Sequence, residues 1–236
     1  MSTRDTRAAG LAAFAGLIAD TTRAACLLAL LDGRAWTAGE LARRAGVAPS
    51  TLSEHLGKLV AGGLLAEERQ GRHRYVRLAD ARTAQLLEDL AAQVTPETPR
   101  RPGGLRESSA GSAMARGRTC YDHLAGRLGI AVTDALGELG LLNRETGFAL
   151  TDAGLAWFAG TGIPLDRAGR RPLARACLDW TERRPHLAGT AGAALCRHAL
   201  DAGWCVRIGS ERAVKVTTDG ERALAELLGI PPGSLR

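Results

Sequence analysis

The chain has 236 residues and a formal net charge of +6, length enough for one large domain or two small ones. Its five cysteines are odd in number and widely spaced, which excludes a disulfide framework. No run of about 18 apolar residues exists to span a membrane. The apolar stretch over residues 11–31 is broken by Asp20 and Arg23 and lacks a signal-peptide cleavage pattern, so a chain in the reducing cytoplasm is expected. The positive balance permits a polyanionic partner. However, Lys58 and Lys215 are the only lysines, and the abundance of Arg, Ala and Gly reads as coding bias.

Residues 1–94 read as a first domain. Amphipathic helices are expected over 8–19 and 22–31, the second stopped by Gly33. Thr37, with Glu40 three residues on, makes a capping box that opens a short helix over 38–45. Gly46-Val47-Ala48 is the turn. Pro49, favoured at a first helical position, starts a helix over 49–61 that Gly62 and Gly63 end. Strands over 64–68 and 74–78 flank the loop Arg69-Gln70-Gly71-Arg72-His73. A last helix over 81–93 carries an apolar stripe at Ala84, Leu86, Leu87, Leu90 and Ala91. Residues 95–112 hold three prolines, three glycines and little to bury, which predicts a linker.

Residues 113–236 contain a repeat. His123-Leu124-Ala125-Gly126 recurs as His186-Leu187-Ala188-Gly189. Each copy is followed by a helical segment (130–142 and 193–205), then a strand-like stretch ending in Thr, Asp and Gly, then a helix and Gly-Ile-Pro. Two copies are too few for a solenoid, so a pseudo-symmetric pair is expected. The fold class is therefore mainly α with short β-hairpins (α+β). It comprises an N-terminal winged helix-turn-helix and a C-terminal domain of two pseudo-symmetric helix–hairpin–helix repeats.

In the helix over 49–61, Leu52, Leu56 and Leu59 fall at helical spacing and face inward. That leaves Ser50, Thr51, Ser53, Glu54, His55 and Lys58 outside, short polar groups of the kind that reach base edges. Arg69, Arg72, His73 and Arg74 surround a flexible glycine and suit phosphates or a minor groove. This combination points to double-stranded DNA as partner. A protein-docking winged helix would expose acidic or bulky apolar positions instead, and only Glu54 fits that alternative.

These residues carry a family resemblance. Asp20-Thr21-Thr22-Arg23, Glu40-Leu41-Ala42, Ser50-Thr51-Leu52-Ser53-Glu54-His55-Leu56 and Gly71-Arg72-His73-Arg74-Tyr75 resemble the ArsR/SmtB winged-helix regulators over roughly residues 8–93. The resemblance implies a homodimer joined through the first and last helices of that region. It implies an imperfect palindromic operator, and a repressor released by an inducer. Two departures matter. The helix over 38–45 has no cysteine pair, and the helix over 81–93 has no histidine, so both customary metal sites are absent.

Sensing is therefore expected in the C-terminal domain. Cys120 and His123 are read at i and i+3 on one helical face, and Cys177 precedes His186 in the second copy. If the copies pack about a local two-fold axis, the four converge, and two thiolates with two imidazoles suit Zn²⁺ or another soft metal. Alternatively, Cys120 or Cys177, near Arg118, Arg175, Arg183 and Arg184, is a redox-sensing thiol. Simple packing of small buried cysteines is the third reading. Cys26, Cys196 and Cys205 read as packing. Residues 166–172 and 182–185 make a basic surface, either solvated or an anion contact. Trp157, Trp180 and Trp204 are core or line a pocket for an organic inducer. An enzyme is not expected. The winged-helix methyltransferases need a glycine-rich loop after a strand and a longer second domain than this chain offers.

Overall fold

The computed structural model describes residues 6–70, 73–94, 105–145, 147–168, 171–209 and 212–235. Helix α1 (Thr6–Ile18) buries none of its residues, whereas α2 (Thr21–Leu30) buries Cys26, Leu27, Ala29 and Leu30. Asp20 caps α2 by accepting from the Arg23 backbone N–H at 2.9 Å. The Arg23 side chain turns back to donate to the Leu17 and Gly16 carbonyls at 2.6 and 2.8 Å, satisfying acceptors that the end of α1 leaves without helical partners.

Strand β1 (Trp36–Thr37) leads into α3 (Ala38–Ala45), and the capping box is present. Thr37 N donates to Glu40 Oε2 at 2.8 Å, and Glu40 N donates to Thr37 Oγ1 at 3.3 Å. Gly46 closes α3 at φ 70°, a left-handed cap that favours glycine. Helix α4 (Pro49–Ala61) buries Leu52, Leu56 and Leu59. Strands β2 (Leu65–Gln70) and β3 (His73–Leu78) form the wing. β1 joins them in the order β1-β3-β2, with Trp36 opposite Val76. Two residues carry no alternation, so β1 has no signature in the sequence.

Helix α5 (Ala81–Gln93) contains the division between two compact units, Met1–Leu87 and Glu88–Arg236. The expected boundary after residue 94 is thus corrected. Glu88 is buried among charged partners of the second unit, which assigns the end of α5 to that unit. The expected linker is corrected as well, because residues 105–112 belong to α6 (Leu105–Arg116). Its last turn is anchored by buried Met114, whose carbonyl accepts from Arg118 at 3.1 Å. The prolines of that stretch all fall in 95–104, outside the described residues.

The second unit continues with β4 (Arg118–Cys120), β5 (His123–Ala125), α7 (Gly126–Glu138), β6 (Leu142–Asn143), β7 (Ala149–Leu150) and α8 (Asp152–Gly160). The series then recurs as β8 (Arg175–Leu178), β9 (Pro185–Ala188), α9 (Gly189–Asp201), β10 (Cys205–Arg207), β11 (Val214–Val216) and α10 (Thr218–Leu228). Each copy is therefore hairpin–helix–hairpin–helix, and the helices α7 and α9 begin four residues earlier than expected. Gly126 and Gly189, at φ 71° and 86°, let the chain turn from strand into helix within one residue.

The copies interlock. α7 packs on β9, α9 packs on β5, and β5 meets β9, as a local two-fold axis requires. A Cβ at Gly129 would strike the Leu124 carbonyl and come within 3.6 Å of His186 Cβ. One at Gly192 would strike the Leu187 carbonyl and come within 3.1 Å of His123 Cβ. Each helix thus approaches the other copy's histidine through a glycine. Thr133 Oγ1 accepts from Leu187 N at 2.8 Å across the same seam. Leu128, Leu136, Phe158, Leu187, Leu195 and Leu224 belong to one core shared by both copies. Among the described residues no single helix is long and apolar enough to cross a membrane.

Candidate functional site

On α4, Ser50, Thr51, Ser53, Glu54 and Lys58 are exposed, and Ser53 Oγ donates back to Pro49 O at 3.0 Å. His55 departs from the expectation that it faces outward. It is half-buried against α2, with Nδ1 3.4 Å from Arg23 Nη1 and 3.5 Å from Asp20 Oδ1. The reason lies in helical spacing: position 55 is three residues from Leu52 and four from Leu59, so it shares their inward face. In the wing, Arg69 is 80 % exposed while Arg74 is drawn to Glu67 at 2.7 Å. His73 pairs with Gln70 in strand register, and Arg72 and the His73 side chain lie outside the described residues.

Cys120, His123, Cys177 and His186 come together, with one ligand-capable atom from each lying within 4.8 Å of all the others. Their placement differs from the helical one expected. Cys120 pairs with His123 across the β4–β5 hairpin, and Cys177 pairs with His186 across β8–β9. Tyr121, at φ 58°, makes the tight first turn, and the second hairpin has the longer loop. The wide Cys177–His186 spacing in sequence is thus a cross-strand pair in space.

All four side chains are buried. Cys120 Sγ and Cys177 Sγ are 3.9 Å apart, and His123 Nε2 and His186 Nε2 are 3.1 Å apart. Behind each imidazole stands a carboxylate. Asp122 Oδ1 is 3.2 Å from His123 Nδ1, and Asp179 Oδ2 is 3.2 Å from His186 Nδ1. Where each Nδ1 keeps its hydrogen toward the neighbouring carboxylate, the two Nε2 atoms present lone pairs to each other. A metal cation bound by both would satisfy that arrangement.

The thiols are split in character. The hydrogen bond from Cys120 lowers the Cys177 pKa, helped by the two imidazoles. That same bond, then burial and the Glu88 carboxylate, raise Cys120. Burial opposes charge on His186, yet Asp179 and Cys177 hold it above its ordinary value. Asp179 is also buried, but His186 and Arg118 hold its carboxyl well below the usual carboxylate range. The remaining cysteines are packing groups, as expected. Burial pushes Cys26 up to about 11, and Cys196 and Cys205 up to about 12.

Arg118 stands outside the expected role of activating a thiol. It is fully buried, donating to Glu88 Oε1 at 3.2 Å and to Asp179 Oδ1 at 2.9 Å. The expected basic surface is largely engaged internally. Arg171 pairs with Asp122 at 2.5 Å, Arg184 with Asp134 at 2.8 Å, and Arg183 donates to Val94 O at 2.9 Å. Trp157 and Trp204 edge the core, whereas Trp180 donates to Glu88 at 2.9 Å. Sequence reasoning missed Asp122, Asp179 and Glu88. The first two had a signal, since a Cys-x-Asp occurs in both copies, at Cys120-Tyr121-Asp122 and Cys177-Leu178-Asp179.

A helix-turn-helix domain model matches residues 18–68, the segment carrying α2 to the start of the wing. An uncharacterized HTH-type transcriptional regulator, YdfF of Bacillus subtilis, is 40% identical over 223 residues, covering 93% of this chain and 97% of its own length. The HTH-type transcriptional regulator CmtR of Mycobacterium tuberculosis is 33% identical over 114 residues, covering 48% of this chain and 96% of its own. Among solved structures, the homodimeric winged helix-turn-helix domain of a possible ArsR-family regulator from Mycobacterium bovis matches at 27% identity and a TM-score of 0.33. It covers 37% of this chain and 81% of its own. Since the YdfF match extends across both units, the second unit is shared with a regulator and not a foreign addition. The chain belongs to the family of HTH-type transcriptional regulators, which bind DNA through their helix-turn-helix.

Proposed function

We propose that this regulator is a homodimeric repressor whose DNA affinity is set by a transition metal, Zn²⁺ or a similar soft cation, held by Cys120, His123, Cys177 and His186. The observation that carries the metal reading is the facing pair of imidazole Nε2 atoms, 3.1 Å apart, each ring backed by a carboxylate. Carboxylate–histidine pairs of this kind orient imidazoles toward metals. The distances fit. A tetrahedral ion with bonds of about 2.3 Å to sulfur and about 2.0–2.1 Å to nitrogen spaces its sulfurs roughly 3.8 Å and its nitrogens roughly 3.3 Å apart. The cluster has 3.9 and 3.1 Å. Two thiolates neutralise a divalent ion, which lowers the cost of burying it. A redox-sensing thiol is less well supported, because Cys120 and Cys177 are only 2% and 4% exposed and oxidants need access.

In this reading the exposed polar face of α4 enters the major groove, and the wing arginines contact phosphate or a minor groove. A second subunit covers the apolar residues that α1 and α5 leave exposed, among them Leu11 (68% exposed) and Leu90 (44%). The operator is then an imperfect palindrome that mirrors the dimer. The metal supplies a four-point crosslink between the two copies of the repeat. The test uses the purified full chain. It should take up one Zn²⁺ per subunit, and Co²⁺ substitution should give a thiolate charge-transfer band that Cys177→Ala lacks. Binding to duplex DNA from upstream of its own coding sequence should weaken when metal is added. A metal-free protein that shows no Co²⁺ band would overturn the metal reading and leave DNA binding standing.

A further inference from the structure

The buried charges beside the cluster do more than a metal site requires. Arg118 is 0% exposed, yet its donors are committed to four partners: Glu88 Oε1, Asp179 Oδ1, Thr181 Oγ1 and the Met114 carbonyl. Its guanidinium also stacks 5.3 Å from the centre of the Trp180 ring. Asp179 is equally committed. Its Oδ1 accepts from Arg118 and from Thr181, while Oδ2 accepts from Gly126 N at 2.7 Å and faces His186 Nδ1. On α5, Glu88 Oε1 gathers Arg118, Trp180 Nε1 and Arg212 Nη2, the last at 2.6 Å.

The result is an unbroken buried chain, His186–Asp179–Arg118–Glu88, that begins on one of the four clustered side chains and ends on α5. A second limb reaches the same guanidinium. Cys120 and Arg118 lie two residues apart on the three-residue strand β4, so they share one face of it. Arg212 ties that strand to Glu88 through the Thr119 carbonyl at 3.1 Å. Buried charges with fixed partners do not shift singly, since each displaced group leaves another unpaired away from bulk solvent. A change at His186 or Cys120 is therefore passed along the chain. α5 runs on from Glu88 into the first unit through its own helical backbone.

We infer that Asp179, Arg118 and Glu88 are the positioning residues that convey metal occupancy of the cluster to α5 and thereby to DNA affinity. The inference rests on the metal reading above and names how that site regulates. The experiment compares wild type with Glu88→Gln, each chelator-stripped or loaded with Zn²⁺, on duplex from upstream of the coding sequence. The Co²⁺ charge-transfer band is measured in parallel. Wild type should change its DNA affinity by about 5-fold or more between the two states, the usual lower range of coupling between sites. Glu88→Gln should keep the Co²⁺ band and the metal-free DNA affinity while the ratio falls toward one.

A Glu88→Gln protein that responds like wild type overturns the coupling and leaves the metal site intact. So does one that loses the Co²⁺ band, because Glu88 then builds the site instead of reporting it. If wild type binds metal without any change in DNA affinity, the coupling falls alone; if it binds none, both readings fall. Should Glu88→Gln not fold, Trp180→Phe removes one hydrogen bond to Glu88, leaves every charge in place and is read the same way.

Discussion

At the scale of single residues, the two histidines of the cluster differ in their support. Asp179 is buried and holds His186 while also meeting Arg118 and Gly126 N. Asp122 is 31% exposed and divides itself between His123 and Arg171. Loss of a carboxylate behind a metal-binding histidine typically weakens the metal by about 10–100-fold. Asp179→Asn is therefore expected in that range and Asp122→Asn nearer its lower end, measured by competition with a chromophoric chelator. Equal affinity in both variants and wild type would contradict the oriented-imidazole argument. The four clustered residues themselves were legible, because Cys and His recur with the duplicated His-Leu-Ala-Gly. What misled was the assumption of a helix. Three residues from Cys120 to His123 fit a helical face and a tight hairpin equally well, and only the Tyr121 backbone at φ 58° decides for the hairpin.

Among the elements, α3 and α4 were readable because their boundaries are chemical: a capping box at Thr37, a left-handed Gly46, and Pro49 in the first turn. The orientation of α4 followed from its leucine spacing, and so, on stricter reading, did the inward turn of His55. Strand β1 was silent, since two residues become a strand only by pairing with β3. α6 was hidden by the breaker-rich composition just ahead of it. The wing offers a test at this scale. Arg69 is exposed, and Arg72 follows Gly71 in the loop, so Arg69→Ala combined with Arg72→Ala is expected to weaken binding to all duplexes alike. The slope of log affinity against log salt should fall by roughly 2, about 1 for each lost phosphate contact. Binding isotherms across a salt series on specific and random duplexes check this. A loss confined to one sequence would assign the wing to base reading instead.

For the whole molecule, the division inside α5 gives two compact units, with α5 running from one into the other. The cluster joins the two copies of the repeat, so a metal bound there would stabilise the second unit directly. Free Zn²⁺ at about 100 times its dissociation constant contributes roughly 2.7 kcal/mol by mass action. Calorimetry with and without chelator should therefore show one transition moving down on stripping, with the transition of the first unit following only as far as α5 couples them. An unchanged thermogram would contradict a bound metal.

By itself the sequence determined the helix-turn-helix, the polar outer face of α4, the existence of a duplication and the residue types at its centre. Those features are written in local periodicity, capping chemistry and repetition, which act over a few residues or recur. Only the tertiary structure decided that the duplicated segments are hairpins, that Asp122 and Asp179 stand behind the two histidines, and that Arg118 and Glu88 lie buried beside them. Those facts depend on which distant groups are brought out of water together. The energy that sets them is the pairing of buried charges across as many as 124 residues of chain, as between Arg212 and Glu88, and no local pattern records it.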